Sequence, residues 1–160
     1  MADAAKEARA MEIYKGLCDA LDARNWHYTK EEDKKIVRYS VNGDDLEMTY
    51  LIFVDAERDL LRLVSTMPYK FPEDKRVDGA IVMNATTDGL AHGGFDFDLK
   101  TGKINFRLVQ TYRDSVVTQE LYDYLIDFAV YVVDKYNDVF FAVSKGMMTA
   151  AEYLERRYNH

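Results

Sequence analysis

The sequence predicts an α+β fold: an antiparallel sheet, built from a three-strand meander and a hairpin, packed with an N-terminal helix, a middle helix and a long C-terminal helix. Three stretches carry that prediction. From Gly94 to Leu108, Phe95, Phe97 and Leu99 alternate with Asp96 and Asp98; after a turn, Ile104, Phe106 and Leu108 alternate with Asn105 and Arg107. A period of two on both arms gives each arm a buried face and a wet face. Between Ile36 and Thr66 the same alternation recurs in three runs separated by turn residues. From Thr118 to about Val143, apolar residues recur at helical spacing over a sector roughly 200° wide, about twice what a helix lying on one surface needs.

Taken in order, Ala4 to Asn25 forms the first helix, with Tyr14, Leu17, Cys18 and Leu21 on one stripe and Lys6, Glu7, Glu12, Lys15 and Asp22 mostly off it. Cys18 therefore faces the core, as a structural thiol. Trp26 to Thr29 is a brief strand or the entry to one, followed by a charged turn, Lys30 to Asp33. Ile36 to Val41 is a strand with Val37, Tyr39 and Val41 on one face. Asn42-Gly43 is a short hairpin signal. The next strand, Leu46 to Val54, puts Leu46, Met48, Tyr50, Ile52 and Val54 on one side, and a charged turn leads to a third strand, Leu60 to Thr66. Leu51 and Phe53 on the second strand, and Leu60 and Val64 on the third, are apolar on the nominally wet face. A half-buried antiparallel strand should be polar there, so either a helix or a partner covers that face.

Pro68 and Pro72 punctuate a linker, Met67 to Phe71. A middle helix starts near Glu73, whose acidic first turn suits the positive end of the helix dipole, and Val77, Ala80, Ile81 and Asn84 or Ala85 give its inner stripe. In the following hairpin a four-residue loop, Lys100 to Lys103, sets Leu99 against Ile104, Phe97 against Phe106 and Phe95 against Leu108, with Asp96 opposite Arg107 on the solvent side. On the long helix, Leu121, Leu125, Phe128, Val132, Val139 and Val143 share one face, while Tyr122, Ile126, Ala129, Val133 and Phe140 share the adjoining one. Such a helix is covered from two directions, either within the chain or by a second subunit. Gly146 ends it, and Thr149-Ala-Ala-Glu152 is a capping-box signature opening a last helix, Ala150 to Tyr158.

Composition narrows the functional classes. At 160 residues, with 48% hydrophobic and 31% charged residues, the chain is expected to be a single domain with a proper core. A formal charge of −7 argues against nucleic acid, which selects cationic surfaces. One cysteine allows no intrachain disulfide, the N-terminus has no apolar signal core, and the most apolar run is far short of a bilayer span. A cytoplasmic protein without membrane contact is the expectation. His27, His92 and His160 lack metal-ligand spacing. Asp96 and Asp98 share a strand face, but Arg107 and Lys103 sit opposite, so cross-strand pairing is their simplest role. His92 and Asp88 bracket a helix end with no nucleophile nearby. No glycine-rich phosphate cradle or nucleophile elbow occurs. No catalytic residue, metal ligand or cofactor is expected. The twelve tyrosines, with Tyr112, Tyr122, Tyr124, Tyr131 and Tyr136 around the long helix, suit an interface or a core margin.

The segments Ala80-Ile-Val-Met-Asn84, Gly94-Phe-Asp-Phe-Asp98 with Gly102 in the turn, Ile104-Asn-Phe-Arg107, and Asp138 to Gly146 with Thr149-Ala-Ala-Glu152 resemble the YbjN-like family of bacterial sensory-transduction regulators, and the element order looks like that of type III secretion chaperones. The resemblance is strongest over residues 77–155. It implies a non-enzymatic protein that binds another protein, chaperone-like or as a regulatory adaptor, often as a homodimer. The surplus apolar surface nominates Leu51, Phe53, Leu60, Val64, Tyr122, Ile126, Val133 and Phe140 as the partner-binding residues. The competing expectation is a small-ligand binder or enzyme with a tyrosine-lined pocket between sheet and helices, and a third is a structural subunit of a larger assembly.

Overall fold

A computed structural model describes residues 2–159, and His160 lies outside the described residues. Helix α1 (Ala4–Ala23) begins where the Asp3 carboxylate accepts the Lys6 N–H at 2.9 Å. It stops at Asn25, whose φ of 56° lets the Trp26 and Asn25 N–H groups close on the Leu21 and Asp22 carbonyls. Four strands follow: β1 (Tyr28–Glu31), β2 (Ile36–Asn42), β3 (Glu47–Asp55) and β4 (Leu60–Lys70). Helix α2 (Arg76–Asp88) leads to β5 (Gly94–Phe97) and β6 (Lys103–Thr111), and α3 (Gln119–Ser144) and α4 (Ala150–Tyr158) close the chain. The α+β expectation holds. Meander and hairpin merge into one antiparallel six-stranded sheet, ordered β1-β2-β3-β4-β6-β5.

Alternate residues of the strands bury themselves on one face of this sheet: Val37 and Tyr39, then Met48, Tyr50, Ile52 and Val54, then Leu61, Leu63 and Met67, then Ile104, Phe106 and Leu108. Against them lie α1 with Ile13, Tyr14, Leu17 and Leu21, and α3 with Tyr122, Leu125, Ile126, Ala129, Val132, Val133, Phe140 and Val143. The wide apolar sector of α3 is accounted for within the chain, since α3 meets the sheet, α1 and α2 together. Tyr122, 4% exposed, donates its hydroxyl to the Ile13 carbonyl at 2.9 Å, and Ile126, Val133 and Phe140 are fully buried. These four side chains are core, not surface, which corrects their nomination as partner-binding residues. The capping box forms as expected: Thr149 Oγ1 accepts the Glu152 N–H, and the Glu152 carboxylate accepts the Thr149 N–H.

The hairpin signalled by Asn42-Gly43 forms, with Asn42 paired to Glu47 across the loop between β2 and β3; neither Asn42 nor Gly43 has a positive φ, and a Cβ on Gly43 would crowd the Asp134 carboxylate that accepts the Asp44 N–H. Three local readings are corrected. The presumed linker at Met67 is the continuation of β4, whose pairing with β6 shifts between Thr66 and Lys70, where Pro68 lacks an N–H to give. The hairpin register lies two residues from that expected, with Phe95 opposite Phe106 and Phe97 opposite Ile104. Asp98 causes this: its carboxylate takes the Lys100 N–H and the Thr101 hydroxyl, which folds residues 98–102 into the loop and leaves Leu99 58% exposed. The Asp96–Arg107 pair survives as a diagonal one at 2.7 Å. Finally, α2 buries Gly79, Val82, Met83, Ala85 and Thr86, so that Ala85 of the expected stripe faces inward while Val77 and Ile81 turn to solvent. Gly79 leads this stripe because Phe71 and Phe97 occupy the space of its missing side chain.

Candidate functional site

Helices cover one face of the sheet only, and the site is the other face. Leu51, Phe53, Leu60 and Val64 stand there, half-buried and outside the core. Register places their neighbours. One row across the sheet runs Glu31, Ile36, Phe53, Arg62, Val109; the next runs Thr29, Arg38, Leu51, Val64, Arg107. Apolar side chains thus form a strip over β2, β3, β4 and β6, broken by Arg62 in one row and ended by Arg38 and Arg107 in the other. Beyond it the face turns polar, where Ser40 and Thr49 share a hydrogen bond at 3.0 Å and Thr66 donates to Asn105 at 2.6 Å. Sequence spacing located this surface, and Ile36 and Val109 complete it; neither was legible until the register joined them to Phe53 and Arg62.

Each arginine has a partner on this face, two of them held closely and Arg62 more loosely. Arg107 grips Asp96 through Nε and Nη2, which raises its pKa. Arg38 pairs with Glu31, whose carboxyl is held down at about 2 by its hydrogen bonds to Lys34 and Arg38. Arg62 is 3.8 Å from Asp55, and its guanidinium lies over the Phe53 ring, 5.2 Å from the centroid. Burial acts to raise the Asp55 pKa, but the Arg58 hydrogen bonds outweigh it and the carboxyl ends below its ordinary range. The three arginine side chains keep 41%, 35% and 48% of their surface exposed.

One edge of the sheet is sealed and the other is not. Along β5, the Thr87 hydroxyl of α2 accepts the Phe95 N–H at 2.9 Å and lies 3.5 Å from its carbonyl. Further along, His92 Nε2 sits 3.3 Å from the Val109 carbonyl, with its ring stacked on Tyr124. His92 is therefore an edge cap, and among the described residues no hydrogen bond joins it to Asp88. The opposite edge, β1, is only four residues long and carries Lys30 and Glu31, which discourages pairing by another strand. Thr87→Val is expected to lower stability by about 1–2 kcal/mol, read as a reduced urea midpoint at unchanged slope.

Among the described residues no tyrosine-lined pocket opens between sheet and helices. Tyr14, Tyr39, Tyr50, Tyr112 and Tyr122 fill the core, where burial raises each of their pKa values. The void between the layers, lined by Leu17, Ile52, Leu63, Leu108, Tyr122 and Leu125 among others, amounts to about 10 Å³, room for one water at most. Among the described residues no three His, Cys, Asp or Glu side chains gather as a metal site, and no helix is long and apolar enough to cross a membrane. Asp98 is spent on its turn and Asp96 on Arg107. Cys18 is buried, which raises its thiol pKa.

A family model for YbjN, described as "Putative bacterial sensory transduction regulator", matches residues 14–142. The match takes in the second half of α1 and the whole meander, and stops short of Thr149–Glu152. A solved structure described as "Crystal structure of YbjN, a putative transcription regulator from E. coli" superposes with a TM-score of 0.59 at 9% identity, covering 78% of this chain and 91% of that one. At that identity the likeness is one of fold. No curated protein matches the sequence.

Proposed function

Since the chain belongs to the YbjN family, whose model it matches over most of its length, we propose that it is a regulatory adaptor that holds a protein partner on the open face of its sheet and performs no chemistry itself. A single observation carries this reading: Leu51, Phe53, Leu60 and Val64, with Ile36 and Val109, make an apolar strip that none of the chain's own helices packs against. Contiguous apolar surface of this kind marks interaction sites. Chaperone-like holding of a segment in the cytoplasm fits the same surface. The homodimer rests on family resemblance. Sedimentation equilibrium decides that point.

The test is a double variant, Leu51→Thr with Phe53→Thr. Threonine suits a strand, so the melting temperature is expected to move by only a few degrees. Affinity purification from the native host is expected to lose the partner that wild type retains, whereas Tyr131→Ser, altering an exposed residue of α3, retains it. Equal recovery of the same partner by all three proteins would refute the reading.

A further inference from the structure

The charges of the two layers differ in sign, and this bears on what occupies the open face. Helix α3 carries five acidic side chains against one lysine. The six strands together carry six basic side chains against four acidic ones. On the open face the acidic residues stand at the perimeter: Glu31 ends edge strand β1, Asp96 lies on edge strand β5, and Glu47 and Asp55 are the first and last residues of β3. Arg38, Arg62 and Arg107 instead stand in the two central rows, directly beside Ile36, Leu51, Phe53, Val64 and Val109. An occupant of this strip meets apolar side chains and guanidinium groups together, and meets carboxylates at the margin, where Glu31 and Asp96 already hold Arg38 and Arg107.

From this juxtaposition, and resting on the docking reading above, we propose that the occupant is an acidic amphipathic helix of a partner protein. Its apolar stripe lies on Leu51, Phe53 and Val64, and Asp or Glu side chains flanking that stripe reach Arg38, Arg62 and Arg107. Arg38 and Arg107 are three strand spacings apart, about 14 Å at ~4.8 Å each, which a helix of about ten residues spans at ~1.5 Å per residue. Helices pack naturally on a sheet's apolar face, and this one would add the third layer that the sheet lacks. Arg62 acts as a cover: its guanidinium lies over Phe53 and exchanges its loose contact with Asp55 for the incoming carboxylate. Guanidinium groups favour such planar, bidentate pairing.

The experiment uses the full chain, labelled with nitrogen-15, and two synthetic helical peptides with the same leucine stripe, one flanked by Glu and one by Lys. The Glu-flanked peptide is expected to shift backbone amides of β2, β3, β4 and β6, and to bind at least about ten-fold more weakly to the Arg62→Gln, Arg107→Gln variant. That variant leaves the core untouched, and its own spectrum reports folding. If the Lys-flanked peptide binds this face and the Glu-flanked one does not, the acidic occupant is wrong while docking on the open face stands. If a thymidine-only single-stranded oligonucleotide produces the shifts in place of either peptide, the occupant is nucleic acid and the proposal falls. If neither peptide nor oligonucleotide shifts those amides, the proposal also falls, while the Leu51→Thr, Phe53→Thr recovery experiment judges the docking reading on its own.

Discussion

Phe140→Ala is expected to destabilise the protein by about 3–5 kcal/mol. Phe140 is fully buried, and its ring meets Phe95 edge-on with centroids 4.8 Å apart, so it ties α3 to the hairpin. Truncation removes apolar burial and the aromatic contact with β5, and leaves a cavity in their place. Phe53→Ala removes the same atoms from the open face and is expected to cost less than about 1 kcal/mol, because that ring was never taken fully out of water. Guanidinium unfolding of both variants reads the contrast. Equal losses would mean that the sheet's two faces are buried alike, and the interaction surface inferred for the second would disappear.

Gly102→Ala is expected to cost about 3 kcal/mol or more, a large share of the stability of a domain this size. Two effects add. Gly102 has a φ of 76°, strained for any residue with a Cβ, and a Cβ there would overlap the Phe71 carbonyl oxygen. That overlap cannot be relieved locally, because the Phe71 N–H donates to the Gly102 carbonyl at 2.9 Å and the Phe71 ring is buried beneath α2. Gly146→Ala supplies the comparison: its φ is 74°, but the Cβ would meet only the end of the Lys75 side chain, 3.3 Å away. About 1 kcal/mol is expected there, the backbone term alone. Thermal melts of the two variants separate conformational strain from steric overlap.

The parts of the fold that were legible in the sequence are those set by periodicity. Strand alternation at Met48–Val54 and Ile104–Leu108, the stripe on α1, the span of α3 and the capping box at Thr149 all report local backbone geometry, which sequence spacing encodes directly. What escaped depended on single side chains acting on backbone. Asp98 captured the Lys100 N–H and moved the hairpin register; Pro68 sat in a bulge that let β4 continue; Gly79, by having no side chain, took the buried stripe of α2 away from Val77 and Ile81. The candidate surface was half legible for a related reason. Apolar residues in the wrong phase on two strands flagged Leu51, Phe53, Leu60 and Val64, whereas the wide sector of α3 gave no means of telling a helix buried by its own neighbours from one awaiting a subunit. Only the packing of α1, α2 and the sheet against α3 separates the two cases, and that is a property of long-range packing.

The central claim is that the uncovered sheet face, and not the helical layer, is where this protein meets its partner. Site-specific photo-cross-linking in the native host tests it most directly, with a photo-reactive phenylalanine analogue placed at Leu51 in one protein and at Tyr131 in another. The account predicts a discrete covalent adduct from position 51 that position 131 does not give. An adduct from position 131, with none from position 51, would place the working surface on the helices and contradict it.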